Sequence, residues 1–303
     1  MKLFSYYLEN KKNLYLNTEN WTNNVINDML LYSYRNTKYS RVAYPSNLHY
    51  HDYYELLIVE EGNIKYICDS TVYYPKFADI IIIPPGKFHM SAINDENTTY
   101  KRHVFYFYPS AFDAISFSCL CSFLDEMKSG AMFSLESYTE KQELITLLDK
   151  LNSALSGEDD ELETALAFGY ILQIFYFLNK KMLKKKTTIS SLPENVIKIQ
   201  QYIYKNYTSV SSVSEVAKAL FYSREHTSRL FKQYFGITVS EYIMQCRIAQ
   251  SQLLIMKGLP IADTAYKVGF GSISTFIRSF TKTTGMTPSE YKKSKKSIEQ
   301  NKN

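Results

Sequence analysis

The chain has 303 residues, 45% hydrophobic and 21% charged, with ten glycines and eight prolines. That is enough for two domains with cores of their own, and it excludes a disordered, collagen-like or coiled-coil chain as well as a small disulfide-stapled one. The net charge of +5 hides an asymmetry: residues 190–303 carry 16 Lys and Arg against seven Asp and Glu, whereas residues 1–189 carry 19 against 23.

Positive charge gathered in one folded segment points to a polyanion partner, either nucleic acid or an anionic membrane surface. The four cysteines, Cys68, Cys119, Cys121 and Cys246, form no disulfide framework and no paired Cys-x-x-Cys zinc pattern, so they read as reduced thiols. The first residues, Met1 to Phe4 followed by Glu9, Lys11 and Lys12, hold no signal-peptide core. No stretch reaches the ~18–20 apolar residues of a membrane span. The expected location is the cytoplasm, without a membrane partner.

After a mixed N-terminal segment, residues 48–107 read as short strands. The runs Tyr53 to Val59, Ile64 to Cys68, Ile80 to Ile83 and His103 to Tyr108 are β-branched or aromatic, and Gly62, Tyr74-Pro75 and Pro84-Pro85-Gly86 punctuate them. Strands at this spacing predict a sandwich or a small barrel. From about residue 140 the period becomes helical, first with Leu144, Leu147, Leu148, Leu151 and Leu155. A second helix follows from about Leu162 to Leu178, after a turn at Ser156 and Gly157. It is apolar over so much of its circumference that burial against a second subunit, in a homodimer, is expected. The polar run Lys180 to Ser191, with Lys184, Lys185 and Lys186, reads as a linker, and the domain boundary falls near residue 188.

An internal repeat follows. Residues 231–242, FKQYFGITVSEY, and residues 280–291, FTKTTGMTPSEY, share Phe, Gly, Thr, Ser, Glu and Tyr at an offset of 49. Upstream the offset is 48, pairing Val213 with Ile261 and Ala217 with Ala265, so the second copy has one extra residue near Gly269. Each copy reads as a helix-turn-helix. In the first, Ser212 and Glu215 form a capping box, Ser223 caps a second helix from Arg224 to Tyr234, and Gly236 stops it. In the second, Pro260 opens a helix over Ile261 to Val268 as its first residue, and another runs from about Ser272 to Thr283. Thr238 with Glu241, and Thr287 with Glu290, repeat the capping box. The joining helix, roughly Val239 to Met256, is ~27 Å long at ~1.5 Å per residue. One turn of B-DNA is ~34 Å, so two recognition helices on one chain can address successive major grooves.

The region from about Val196 to Tyr291 resembles the DNA-binding domain of the AraC/XylS family of bacterial transcription regulators. The Ala217 to Phe231 spacing, the Gly269-Phe270 turn, the Phe276 and Phe280 pair and the terminal Gly285-Met286-Thr287-Pro288-Ser289-Glu290-Tyr291 carry the likeness. The resemblance implies double-stranded DNA as a partner, a small-molecule effector, and RNA polymerase if the protein activates. The fold class is then α+β multidomain: an N-terminal β-sandwich or cupin-like barrel with appended helices, and a C-terminal all-α domain of two helix-turn-helix units. An effector-binding and dimerisation domain spans 1–187, with its β core at about 40–110 and helices at about 111–182. The DNA-binding domain spans 188–303, with the two units at about 212–235 and 260–284.

Base contacts are expected from the outer face of each second helix: Arg224, Glu225, Ser228 and Arg229 in the first copy, and Ile273, Ser274, Thr275 and Arg278 in the second. Arg229 and Arg278 occupy the matched site, where each can take a guanine edge or a phosphate. Thr227 stands where the second copy has Phe276, which predicts a less firmly packed first unit.

His49, His51 and Glu55 share parity in an extended strand, and Gly62 follows; Pro84, Gly86 and His89 come later. This resembles the two motifs of the cupins, whose metal-binding members ligate through such a set, although Ala43 and Ala78 stand where those motifs place glycine. The resemblance to AraC-type regulators implies instead that His49, His51, Glu55 and His89 belong to an effector pocket without catalysis, the effector being a sugar or another polyol by family association. No cofactor is then required. The alternative is a divalent metal on the same four residues, in a metal-dependent cupin enzyme fused to a DNA-binding domain.

Overall fold

The computed structural model describes residues 21–27, 29–40, 46–49, 51, 53–69, 71–115, 118–126, 130–156, 161–182 and 190–299. Ala43, the turn at Gly157 and most of the expected linker, with the boundary near 188, lie outside them. Strands β1 (Trp21–Asn27), β2 (Leu30–Tyr39), β3 (Ser46–His49), β4 (Tyr54–Glu61), β5 (Ile64–Cys68), β6 (Thr71–Tyr73), β7 (Ile80–Ile83), β8 (His89–Ile93), β9 (Thr98–Phe107), β10 (Ala131–Phe133) and β11 (Ser190–Ser191) form two sheets. The six-stranded sheet runs β1-β2-β9-β4-β7-β10 and the five-stranded one β11-β6-β5-β8-β3. Among the described residues the β structure therefore begins at Trp21, earlier than the expected start near 40. It also recruits β10 after residue 110.

Side-chain alternation makes this a layered molecule. On β4 and β7, Leu57, Val59, Ile81 and Ile83 face the five-stranded sheet and meet Ile64, Tyr66, Cys68, Tyr73 and Ile93. Their neighbours Leu56, Ile58, Ile80 and Ile82 face the other way, into a second core with Phe105 and Phe107 of β9. That core is closed by α1 (Tyr138–Ala154) and α2 (Glu161–Met182). Ser137 and Glu140 form a reciprocal capping box that starts α1. Phe175 of α2 lies edge-on to Phe107 at 5.0 Å between ring centres and packs against Phe112 at 4.8 Å. Each buried ring of this kind contributes about 1.5–3 kcal/mol. Over Leu162–Lys181, α2 is long and apolar enough to cross a membrane, contrary to the sequence expectation. Ala167, Ile171, Ile174, Phe175 and Leu178 are instead buried against the sheet.

The C-terminal domain runs α3 (Glu194–Asn206), α4 (Val213–Ala219), α5 (Arg224–Phe235), α6 (Val239–Met256), α7 (Ile261–Lys267), α8 (Ile273–Thr284) and α9 (Pro288–Glu299). Ser212, Ser223, Thr238 and Ser272 cap α4, α5, α6 and α8 through their hydroxyls, and left-handed Gly236 and Gly285 close α5 and α8. Two local expectations change. The Glu215 carboxylate accepts from the backbone N–H of Ser211, one residue before the predicted partner. Pro260 occupies the N-cap of α7, outside the helix, and not its first turn.

The five-stranded sheet buries its outer face against this domain. Ile67, Val72, Phe88 and Met90 form one core with Val196, Ile199 and Ile203 of α3, Phe231 and Phe235 of α5 and Tyr242 of α6. Polar contacts frame it: Lys65 Nζ donates to the Tyr234 carbonyl at 2.7 Å, and Gln200 Nε2 to the Asp69 carbonyl at 2.6 Å. The second unit has its own core of Ile248, Ile255, Ala265, Val268, Phe270, Phe276 and Phe280.

Candidate DNA interface and effector site

Recognition helices α5 and α8 are each 12 residues long, and both are amphipathic because their aromatic residues recur at helical spacing. Phe231 and Phe235 stack at 4.4 Å and bury one side of α5. Phe276 and Phe280, edge-on at 5.5 Å, bury the matching side of α8. The opposite side exposes Arg224, Glu225, Ser228 and Arg229 on α5, and Ser274, Thr275 and Arg278 on α8. Ile273 departs from expectation. As the first residue of α8 it is half-buried and packs on the second core. Ile277 is the outward residue that the sequence reading passed over, 37% exposed at the position matching Ser228. The offset of 49 was the signal that could have found it.

Thr227 packs better than its size suggests. It is fully buried, and its hydroxyl donates to the Ser223 carbonyl at 2.9 Å, so no polar atom is stranded. The first core is completed by the Phe231, Phe235 and Tyr242 rings. Arg247 ties α6 to the segment between α3 and α4, donating through Nε to the Tyr207 carbonyl and through Nη2 to that of Val210.

The four candidate pocket residues converge from β3, β4, β8 and the residues between β3 and β4. One ligand-capable atom from each of His49, His51, Glu55 and His89 lies within 4.8 Å of the others. His49 is half-buried and the other three are buried. His51 Nδ1 lies 2.7 Å from the Tyr53 carbonyl and His89 Nδ1 2.8 Å from that of Lys87. A carbonyl oxygen only accepts, so in both rings Nδ1 carries a proton. His51 Nε2 lies in hydrogen-bond geometry 3.1 Å from Glu55 Oε2, and His89 Nε2 lies 3.3 Å from the same oxygen. The Tyr66 hydroxyl donates to Glu55 Oε1. Burial pushes the His51 imidazole down, outweighing the hydrogen bond from its side to Glu55. Burial pushes the Glu55 carboxyl up, but the adjacent His51 and His89 imidazoles outweigh it and hold the group well below the usual carboxylate range.

This donor set fits a divalent transition ion. Two ligands on one four-coordinate ion at ~2.0–2.1 Å sit roughly 3.3 Å apart, close to the two Glu55 separations. The backbone carbonyls behind His51 and His89 are the partners that orient metal-binding imidazoles. His89 Nε2 is buried without a hydrogen-bond partner, its approach to Glu55 lying outside hydrogen-bond geometry.

Two family descriptions match: "AraC-like ligand binding domain" over residues 37–172 and "Helix-turn-helix domain" over residues 216–294. The chain belongs to the AraC family of transcription regulators. This AraC-family regulator is 30% identical over 156 residues to the lactose operon transcription activator of Staphylococcus xylosus, covering 51% of this chain and 55% of that protein. It is 24% identical over 265 residues to the uncharacterized HTH-type transcriptional regulator YdiP of Escherichia coli, covering 82% and 81%. The bifunctional transcriptional activator and DNA repair enzyme AdaA of Bacillus subtilis is 36% identical over 114 residues, 37% of this chain and 54% of that protein. Among solved structures, ToxT of Vibrio cholerae bound to an unsaturated fatty acid aligns over 88% of this chain and 95% of its own, with 18% identity and a TM-score of 0.41. This member of the AraC family is a DNA-binding transcription regulator whose N-terminal domain is of the ligand-binding type.

Proposed function

We propose that α5 and α8 enter successive major grooves of one operator, and that a polar small molecule in the β domain controls how they are presented. The observation that carries this reading is the pairing of Arg229 with Arg278, both exposed and both at the same place in a duplicated fold. Each guanidinium is placed to take a guanine edge or a phosphate. Leu166 and Tyr176, 49% and 58% exposed on the outer side of α2, give that helix the character of a dimer contact. A homodimer in the cytoplasm follows, with RNA polymerase as partner if the protein activates. A sugar effector draws support from the lactose operon activator among the relatives.

A metal-dependent enzyme rests on the His and Glu quartet alone. The relatives matched over most of their length are regulators, so we assign the quartet to sensing and not to turnover.

The test is recovery of fragmented genomic DNA by full-length protein at two salt concentrations, followed by sequencing. A motif of about two helical turns that persists at the higher salt is expected. Recovery without a motif, vanishing with salt, would show charge-driven binding only and overturn the reading.

A further inference from the structure

We propose that the regulatory ligand of the β domain includes a divalent first-row transition ion held by His49, His51, Glu55 and His89, and that β8 transmits its occupancy to the first helix-turn-helix unit. This rests on the regulator reading above and adds a ligand and a route. Two imidazole Nε2 atoms and a carboxylate oxygen converge at 3.1 and 3.3 Å in a buried place, and His89 Nε2 has no hydrogen-bond partner there. Each Nδ1 is already committed to a backbone carbonyl. Once His51 Nε2 gives up its proton, these atoms offer three converging electron pairs, and imidazole with carboxylate selects ions of the zinc, iron, manganese or nickel kind.

The route follows from strand alternation. His89 points inward from β8, so its neighbours Phe88 and Met90 point outward, and both belong to the core shared with α3, α5 and α6. Phe88 lies edge-on to Tyr204 of α3 at 5.6 Å. Its carbonyl accepts from the Asp69 N–H, while the Asp69 carbonyl accepts from Gln200 of α3. Lys87, whose carbonyl orients His89, pairs with the Asp69 carboxylate at 2.9 Å. An ion that draws His89 toward Glu55 pulls on the strand that seats the first unit.

Zinc alone is the first probe and cobalt the second. Full-length protein, stripped with a chelator and reloaded, is expected to bind one zinc per chain and to show the visible absorption of low-coordinate cobalt. His89→Ala should abolish both; if it does not fold, His49→Ala, half-buried at the rim, replaces it. Zinc should slow amide hydrogen exchange in β8 and in Glu194–Asn206. It should also change affinity for the genomic fragment recovered above by about fivefold or more. Met90→Ala and Gln200→Ala should keep the zinc and lose most of that change. Absence of stoichiometric zinc, or bound zinc with unaltered exchange in α3, would overturn the proposal. A zinc effect on DNA binding that survives in full in both variants would overturn the route. A specific motif recovered without any response to zinc leaves the regulator reading standing while this one fails. If no motif is recovered, the regulator reading fails and hydrogen exchange still decides the metal and its route.

Discussion

A Cβ placed on Gly269 would lie 2.2 Å from the carbonyl oxygen of Thr208. The turn of the second helix-turn-helix unit is thus pressed against the segment that leaves α3, beside the two carbonyls that Arg247 binds. Gly269 also sits at φ +93, where a side chain is strained whatever the space. Gly269→Ala is therefore expected to destabilise the C-terminal domain by roughly 2–4 kcal/mol, since the neighbour is backbone and cannot turn aside. Urea unfolding of full-length protein measures it, and a loss under about 0.5 kcal/mol would contradict the close approach.

The matching turn of the first unit behaves in the opposite way. Phe221 takes the place of Gly269, holds φ +57 and is 96% exposed. It carries backbone strain and almost no burial in return. Phe221→Gly should leave stability unchanged or raise it by about 1 kcal/mol, with the unfolded-state entropy of glycine offsetting part of the relief. A clear loss of thermal stability would mean that Phe221 packs on something within the chain.

Arg229→Ala and Arg278→Ala separate base readers from phosphate clamps. Loss of a bidentate guanine contact should cost about 1–3 kcal/mol at one base pair and flatten preference there. Loss of a phosphate contact should weaken all sequences alike and lower the salt slope by about one. Binding of a randomised operator library by each variant, at several salt concentrations, distinguishes the two.

The capping carboxylates Glu215, Glu241 and Glu290 lie below their ordinary value of 4.5, held there chiefly by backbone N–H groups of Ser211, Thr238 and Thr287. A carboxyl depressed by folding contributes stability that is full above the unfolded value and lost as pH falls through the folded one. The helical domain should therefore lose stability progressively below pH 4.5, and Glu241→Gln should flatten that acid limb while keeping a hydrogen bond to Thr238. Helicity followed by circular dichroism from pH 6 to pH 2 checks this; an unchanged acid limb would refute it.

The repeat was legible because aromatic spacing, caps and glycines all act locally, and the boundaries of α6 match the sequence reading residue for residue. Strands β1 and β2 were not, because polar Asn, Thr and Ser residues interrupt their alternation and the pairing of β2 with β9 is long-range. Strand β6 is only three residues long. His49, His51 and Glu55 were visible as parity in an expected single strand, which the structure divides between β3 and β4, and His89 as part of a later motif, yet the carbonyl partners of the His51 and His89 rings come from backbone that no side-chain pattern reveals. Burial of Phe88 and Met90 was equally hidden, since an apolar residue on either face of a strand reads the same before its partner is known. Ile273 misled because it begins a helix, where its side chain leans back onto the preceding turn.

Helix α6 has a foot in both cores: Tyr242, Cys246 and Ala249 face the first unit, while Ile248 and Ile255 face the second. It sets an angle as well as a length. One inserted residue would lengthen it by only ~1.5 Å but turn one reading head by about 100° relative to the other. On the proposed reading, the rotational phase between half-sites is encoded in a helix that carries none of the proposed base-reading residues, so half-site spacing would tolerate substitution along the exposed side of α6 far better than insertion within it.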